Sequence, residues 1–213
     1  MIIVTGGAGF IGSNLIRKLN SDKDDDILLV EDFSNGHKIK NITDLDIVDY
    51  VDKDDFLALL QSSWETNNVD CIFHLGACVD TMEWNGRHML QLNFELSKRL
   101  LHFCLQWKIS FIYASSAAVY GSAATFDESP QNERPLNVYG YSKLLFDRYV
   151  RQRMASFGSQ VVGLRYFNVY GPGERHKGVM ASVAWHFREQ LCKDGVIKLF
   201  EGTHGYEAGE QRR

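Results

Sequence analysis

The chain opens with a short apolar run, Ile2-Ile3-Val4, that passes directly into Thr5-Gly6-Gly7-Ala8-Gly9-Phe10-Ile11-Gly12. β-Branched residues ended by glycine predict a buried parallel strand. Ile11, Leu15, Ile16 and Leu19 fall at helical spacing behind it and predict a helix over 10–19. A strand that turns on glycines into a helix aims the first helical N–H groups at whatever lies above the turn. The glycines Gly6, Gly9 and Gly12 let a pyrophosphate approach that backbone closely. The spacing is one residue longer than G-x-G-x-x-G, so it is a variant of the dinucleotide fingerprint. An ordinary glycine turn is the alternative, and the strand before and helix after weigh against it.

The same alternation continues along the chain. Apolar runs predict strands at 26–31, 71–75, 111–114, 161–165 and 197–200, with a short irregular or extended piece at 44–50. Helical spacing predicts helices at 53–62, 89–107, 138–155 and 180–192. Strands alternating with helices imply βαβ crossovers and an α/β fold, a doubly wound Rossmann-type parallel sheet with helices on both faces. Such sheets bind ligands beyond the carboxyl ends of their strands, and every unusual loop here follows a strand: 5–12, 31–40, 74–86, 115–137 and 166–179. The expected division is a dinucleotide-binding domain over 1–165 and a substrate-loop region over 166–213 that begins a smaller domain.

Composition narrows the class. At 213 residues the chain is long enough for one sizeable core. A net charge of −4 argues against a nucleic-acid partner. Cys71, Cys78, Cys104 and Cys192 form no C-x-x-C pair and no disulfide ladder, and three sit in apolar surroundings as buried free thiols. With no secretory signal and no bilayer-length apolar run, the expected location is a reducing cytoplasm, away from membranes. No metal site is expected.

Four clusters carry candidate chemistry. Glu31 and Asp32 end the second strand, where a carboxylate meets the ribose hydroxyls of NAD; Lys38 in the same loop suits the 2′-phosphate of NADP, or is surface charge like Lys40. Gly76-Ala77-Cys78 is small enough for a dinucleotide to pass, and His74 before it reads as a hydrogen-bonded structural histidine. Ser116 ends the fourth predicted strand and can orient a substrate oxygen. Tyr139 and Lys143 stand four apart on a helix, so an ammonium faces a phenol and favours the phenolate. That pair equips the chain to remove a proton from an alcohol whose carbon loses a hydride.

Taken together, TGGAGFIGS, Ser115-Ser116-Ala117-Ala118-Val119-Tyr120-Gly121, the Tyr139/Lys143 pair and Arg165-Tyr166-Phe167-Asn168-Val169-Tyr170-Gly171-Pro172 resemble extended short-chain dehydrogenase/reductases acting on nucleotide sugars. His176-Lys177-Gly178-Val179-Met180-Ala181-Ser182 with His186, and Glu83-Trp84-Asn85-Gly86, look like the branch that epimerises C6 of an ADP-linked heptose. The resemblance implies tightly bound NADP, with NAD possible, and an ADP-heptose substrate on the way to lipopolysaccharide core precursors. It implies Tyr139 and Lys177 as the two acid/base residues, with Ser116 and Lys143 in support. It extends the cofactor contacts to Phe10, Ile11, Lys53, Leu75, Ala77, Cys78, Val79 and Val169, and places the substrate against Asn168, Val179, His186, Phe200, Glu201, Gly202, Thr203 and Arg213. A homo-oligomer is implied for the full-length chain.

The sequence departs from the family pattern at three points. Leu92-Asn93 replaces two adjacent asparagines, so a cofactor contact is missing or passes to Asn93. Val79 and Val179 replace small polar residues. The family also continues past Arg213, which predicts open apolar surface around Val183, Trp185 and Phe187. The alternatives are another epimerase or a dehydratase of the same superfamily, or a non-catalytic dinucleotide-binding remnant. Dehydratases carry an Asp-Glu pair soon after the serine, whereas Asp127-Glu128 lies farther along.

Overall fold

A computed structural model of the chain describes residues 1–61, 68–199 and Glu207. Six strands form one parallel sheet: β1 (Ile2–Thr5), β2 (Ile27–Glu31), β3 (Asp49–Asp52), β4 (Cys71–His74), β5 (Ser110–Ser116) and β6 (Val161–Tyr166), in the order β3-β2-β1-β4-β5-β6. This is the Rossmann-type sheet expected. The chain winds outward from β1 through β2 to β3, then returns across the sheet to β4. The strand order therefore reverses between β1 and β4, which opens a crevice at their carboxyl ends. Thr5 is in register with both Val30 and His74, so the loops that follow β1, β2 and β4 emerge side by side.

Both faces are buried because successive side chains of a strand point to opposite sides. Ile3, Leu28, Val30 and Ile72 join Phe56, Leu100, Leu101, Phe111 and Phe146 in one cluster. Val4, Ile27 and Leu29 pack with Ile16 in a second cluster on the other face. Ile16 lies on helix α1 (Phe10–Ser21), while Phe56 lies on α2 (Lys53–Gln61). The long predicted helix over 89–107 is observed as α3 (Gly86–Leu90), one π-helical stretch (Gln91–Glu95) and α4 (Leu96–Trp107). Helix α5 (Val138–Arg151) starts at an Asn137 cap whose Oδ1 accepts the Gly140 N–H at 2.8 Å.

The structure differs from expectation in several places. The irregular piece at 44–50 resolves into β3, shifted to 49–52, because its backbone pairs with β2. Residues 180–182 lie outside a helix: Arg175–Met180 form 3-10 turns, and α6 (Val183–Asp194) begins only where Ser182 Oγ caps Trp185 N. Ile197–Leu199 form no strand; nothing described pairs with that backbone, and Lys198 N donates to the Gln190 side chain at 2.8 Å instead. Phe200 lies outside the described residues. Helix α6 has no buried residue; Val183 and Leu191 are exposed, while Trp185 and Phe187 are half-buried. Of the cysteines, Cys104 is buried, Cys71 and Cys78 are half-buried, and Cys192 is exposed on α6. Burial pushes the Cys71 thiol up to about 11. Among the described residues, no helix is long and apolar enough to cross a membrane and no cluster of metal-ligating side chains occurs.

Candidate active site

The crevice at the carboxyl ends of the strands is a cleft of about 730 Å³, the size that holds small-molecule ligands. Its floor is the glycine loop. Gly6 has φ +70°, and a Cβ there would stand 2.6 Å from Gly76 N; a Cβ on Gly12 would stand 2.2 Å from Gly6 O. Only glycine allows the loops after β1 and β4 to touch and helix α1 to start tight against the turn. The cradle therefore fits a diphosphate approached by backbone N–H groups.

At the end of β2, Glu31 is buried. Its Oε2 accepts Ala8 N at 3.1 Å, and its Oε1 accepts Asp32 N and Lys38 Nζ, both at 2.9 Å. Asp32 pairs with Lys53 at 2.8 Å. The Lys53 ammonium, then the Ser34 hydroxyl and N–H, hold its carboxyl well below the usual range. Lys38 is thus engaged in an ion pair rather than standing free in solvent. Glu31 and Lys38 line the cleft, and Asp32 and Lys53 form the adjoining pair.

Strand β5 and helix α5 bring Ser116, Tyr139 and Lys143 to the cleft wall. Lys143 is buried, and its Nζ donates to Ala114 O at 2.9 Å. Burial pulls its ammonium down to about 8. The phenolate expected at Tyr139 draws on two positive charges, Lys143 and an oxidised nicotinamide, of which the protein supplies only the first. Burial raises that phenol above its ordinary value, and the Ser116 hydroxyl opposes the rise only in part. The protein groups leave the pair protonated at neutral pH, so a further positive charge at the site is required to favour phenolate.

The loop after β6 carries Lys177 into the same cleft. Glu174 is buried and ties both ends of the loop, accepting Gly171 N at 2.9 Å, Ser182 N at 2.6 Å and Ser182 Oγ at 2.9 Å. Burial by itself would raise its carboxyl, but these bonds hold it below the ordinary value. Asn41 Nδ2 reaches Ala8 O, Gly173 O and the His176 ring, joining this loop to the glycine loop. Lys177 Nζ lies over the Phe10 ring at 5.3 Å, inside the cleft that Tyr139 also lines.

Beneath the floor runs a buried polar chain. Gly76 N donates to Thr5 Oγ1, Thr5 Oγ1 meets His74 Nδ1 at 2.7 Å, and His74 Nε2 meets Ser97 Oγ at 2.8 Å. Ser97 Oγ donates to Asn93 O, so Nε2 carries the imidazole proton and Nδ1 accepts from Thr5. His74 is the structural histidine expected. Asn93 does not reach into the cleft. Its amide clasps the backbone of Cys78, accepting from N at 2.8 Å and donating to O at 2.9 Å, and also donates to Ser142 Oγ. The π-helical stretch places it there, and π-bulges are frequent at functional sites.

Burial, and then Lys143, pulls the His74 imidazolium down to about 3. An unfolded histidine takes up its proton near pH 6.5, so this contribution to stability is full above 6.5 and lost as pH falls toward 3. Urea denaturation should lose about 2 kcal/mol more in the wild type than in His74→Gln between pH ~6 and ~4.5. Parallel losses would show that His74 titrates normally.

Of the other expected site residues, Gly9, Ile11, Leu75, Gly76, Ala77, Val79, Asn168 and Val169 line the same cleft. Cys78 lies behind the wall, close enough to act electrostatically on Tyr139 and Lys143. Val179 is exposed, and His186 Nε2 sits 3.4 Å from its carbonyl; neither lines the cleft. Glu201, Gly202, Thr203 and Arg213, like Phe200, lie outside the described residues. Sequence reasoning missed Asn41, Glu174 and Asp147. Only Asp147, four residues after Lys143, carried a spacing signal.

A sequence model of the NAD dependent epimerase/dehydratase family matches residues 2–213. The chain belongs to this family. An ADP-L-glycero-D-manno-heptose-6-epimerase of Alkalilimnicola ehrlichii is 56% identical over 213 residues, all of this chain and 67% of the relative. The ADP-L-glycero-D-manno-heptose-6-epimerase structure from Helicobacter pylori superposes with a TM-score of 0.80 at 31% identity, over 94% of this chain and 65% of that one. UDP-glucuronic acid 4-epimerase from Bacillus cereus, solved in complex with NAD, has a TM-score of 0.72 at 28% identity, over 94% and 66%. The chain spans about two thirds of the length of these relatives. As in the family, the cofactor is a nicotinamide dinucleotide, and the glycine cradle and the acid–lysine pairs after β2 fit it.

Proposed function

We propose that this protein interconverts the two C6 configurations of an ADP-linked heptose. One observation carries the reading: Ser116, Tyr139, Lys143 and Lys177 share one cleft with the glycine cradle. The bound dinucleotide supplies reversible hydride acceptance. Ser116 orients the C6 oxygen while Tyr139 exchanges its proton, and Lys143 supports the phenolate. Lys177, on the loop after β6, serves the same role toward the opposite face of the sugar, which is what inversion at one carbon requires. Residues 1–165 hold the dinucleotide and 166–213 begin the substrate region, with Asn168 on the cleft wall. Val179, His186, residues 200–203 and Arg213 complete the proposed substrate contacts.

We further infer that the dinucleotide is NADP. Glu31 already accepts three hydrogen bonds, and Lys38 and Lys53 flank it. Two ammonium groups at one strand end suit a 2′-phosphate better than a ribose hydroxyl.

The test is to purify the chain with its nucleotide, add ADP-D-glycero-D-manno-heptose and read the C6 configuration by NMR. A mixture of both epimers is expected. Nucleotide bound without conversion would remove the epimerase reading and leave a dinucleotide-binding protein. In Lys38→Glu, NADP affinity should fall at least about tenfold more than NAD affinity, the loss of one charge-assisted contact. Equal losses would refute the 2′-phosphate contact.

A further inference from the structure

Helix α5 carries Tyr139, Lys143 and Asp147 at successive steps of four residues, so one face bears a phenol, an ammonium and a carboxylate in line. The first two form the proposed proton-transfer centre. The third is buried and has no place in that chemistry. Its carboxylate gathers three donors from two strands: Ser115 Oγ at 2.8 Å and Tyr113 OH at 3.1 Å from β5, and Arg165 Nε at 3.1 Å from β6. Arg165 is the register partner of Ser115. The result is a row of attachments between α5 and the end of β5. Lys143 holds Ala114, Asp147 holds Ser115, and Tyr139 meets Ser116.

The charges around Lys143 single out the same residue. On its own helix it faces Tyr139 and Asp147. From β4 comes His74, from the following loop Cys78, and from β5 the Ala114 carbonyl. His74 is neutral near pH 7, and of the two groups that favour the Lys143 ammonium Asp147 acts more strongly than Cys78. Arg165 does not neutralise Asp147 by itself, because it is shared with Glu133. The Glu133 carboxylate also takes Arg148 and Arg151.

The geometry points to Asp147 as the positioning residue of this centre: it draws the end of β5, and with it the Ser116 hydroxyl, against α5 and supplies the negative charge that faces Lys143. This rests on the reading of Tyr139 and Lys143 as the proton-transfer pair. A buried ion pair of purely structural value would tie β5, β6 and α5 together without changing when Lys143 loses its proton. Removing the Asp147 charge leaves desolvation of Lys143 unopposed, so its ammonium gives up the proton at lower pH.

The test follows the Lys143 side chain by NMR in the whole chain labelled at lysine Cε, with Lys143→Arg to assign its signal. Asp147→Asn should lower the Lys143 midpoint by about one unit, and Asp147→Glu should restore it. Asp147→Ser makes the same measurement should the asparagine variant fail to fold. The alkaline limb of the pH–rate profile for epimerisation should move down with the midpoint. An unchanged midpoint in a folded neutral variant overturns the proposal. Failure of both neutral variants to fold also overturns it, by assigning Asp147 to stability alone. A midpoint that moves without the rate profile supports Asp147 and refutes instead the proton-transfer role of Lys143.

Discussion

Tyr139→Phe should reduce epimerisation by about a thousandfold or more while dinucleotide affinity stays within about twofold of the wild type. The hydroxyl is the only part of the side chain removed, and the ring keeps its place on the cleft wall. Backbone bonds that hold α5 do not change, because Asn137 caps the helix through Gly140 N and Ser142 Oγ donates to the Tyr139 carbonyl. What disappears is the acid/base group beside Ser116. Burial keeps the Tyr139 phenol above its ordinary value in the protein alone, so its phenolate depends on positive charge brought to the site. The variant therefore loses the proton relay and not the binding. NMR of the C6 configuration measures the rate, and titration of the dinucleotide measures the affinity. Conversion at the wild-type rate would remove Tyr139 as the acid/base residue and leave Lys177 to act on both faces.

The parts of this site legible in the sequence are those whose chemistry depends on local spacing. Gly6, Gly9 and Gly12 follow a strand at once, and Tyr139 and Lys143 are four apart, so neither needs the tertiary fold to be recognised. The apolar runs likewise locate β1, β2, β4, β5 and β6, because strands inside a parallel sheet read as continuous apolar stretches, and the edge strand β6 keeps such a run although Gly163 and Leu164 are exposed. Strand β3 is less legible: Asp49-Tyr50-Val51-Asp52 has mixed character at the sheet edge, and its pairing to β2 decides its state. The break in the 89–107 helix follows from a side chain, Asn93, bonding to a loop fifteen residues earlier in the sequence. Glu174 and Asn41 are silent in the sequence for the same reason. Each acts on backbone groups that only folding brings near, and Asn41 reaches across 132 residues to Gly173. Spacing reports the neighbouring ammonium but says nothing of burial, which in the protein alone raises the Tyr139 phenol.

Gly12→Ala should weaken dinucleotide binding by about a hundredfold or more, and Gly9→Ala much less. The contrast lies in what each new methyl meets. At Gly12 a Cβ would stand 2.2 Å from Gly6 O and 2.6 Å from Gly7 Cα, both backbone atoms that cannot rotate aside. At Gly9 the nearest neighbour is Gly6 O at 3.1 Å, a contact relieved by a few tenths of an ångström. The Gly12 variant must push the start of α1 away from the turn. That displaces the N–H groups that the cradle presents to a diphosphate, and such groups bind only when they converge. Overpacking of this kind also costs about 1–3 kcal/mol of stability, so a lower melting temperature should accompany the lost affinity. Calorimetric titration with NADP separates the two effects when both variants are held well below their melting points. Binding at wild-type strength in a folded Gly12→Ala protein would show that the diphosphate is held elsewhere than at this turn. The acid–lysine pairs after β2 would then have to anchor the cofactor by its adenosine end alone.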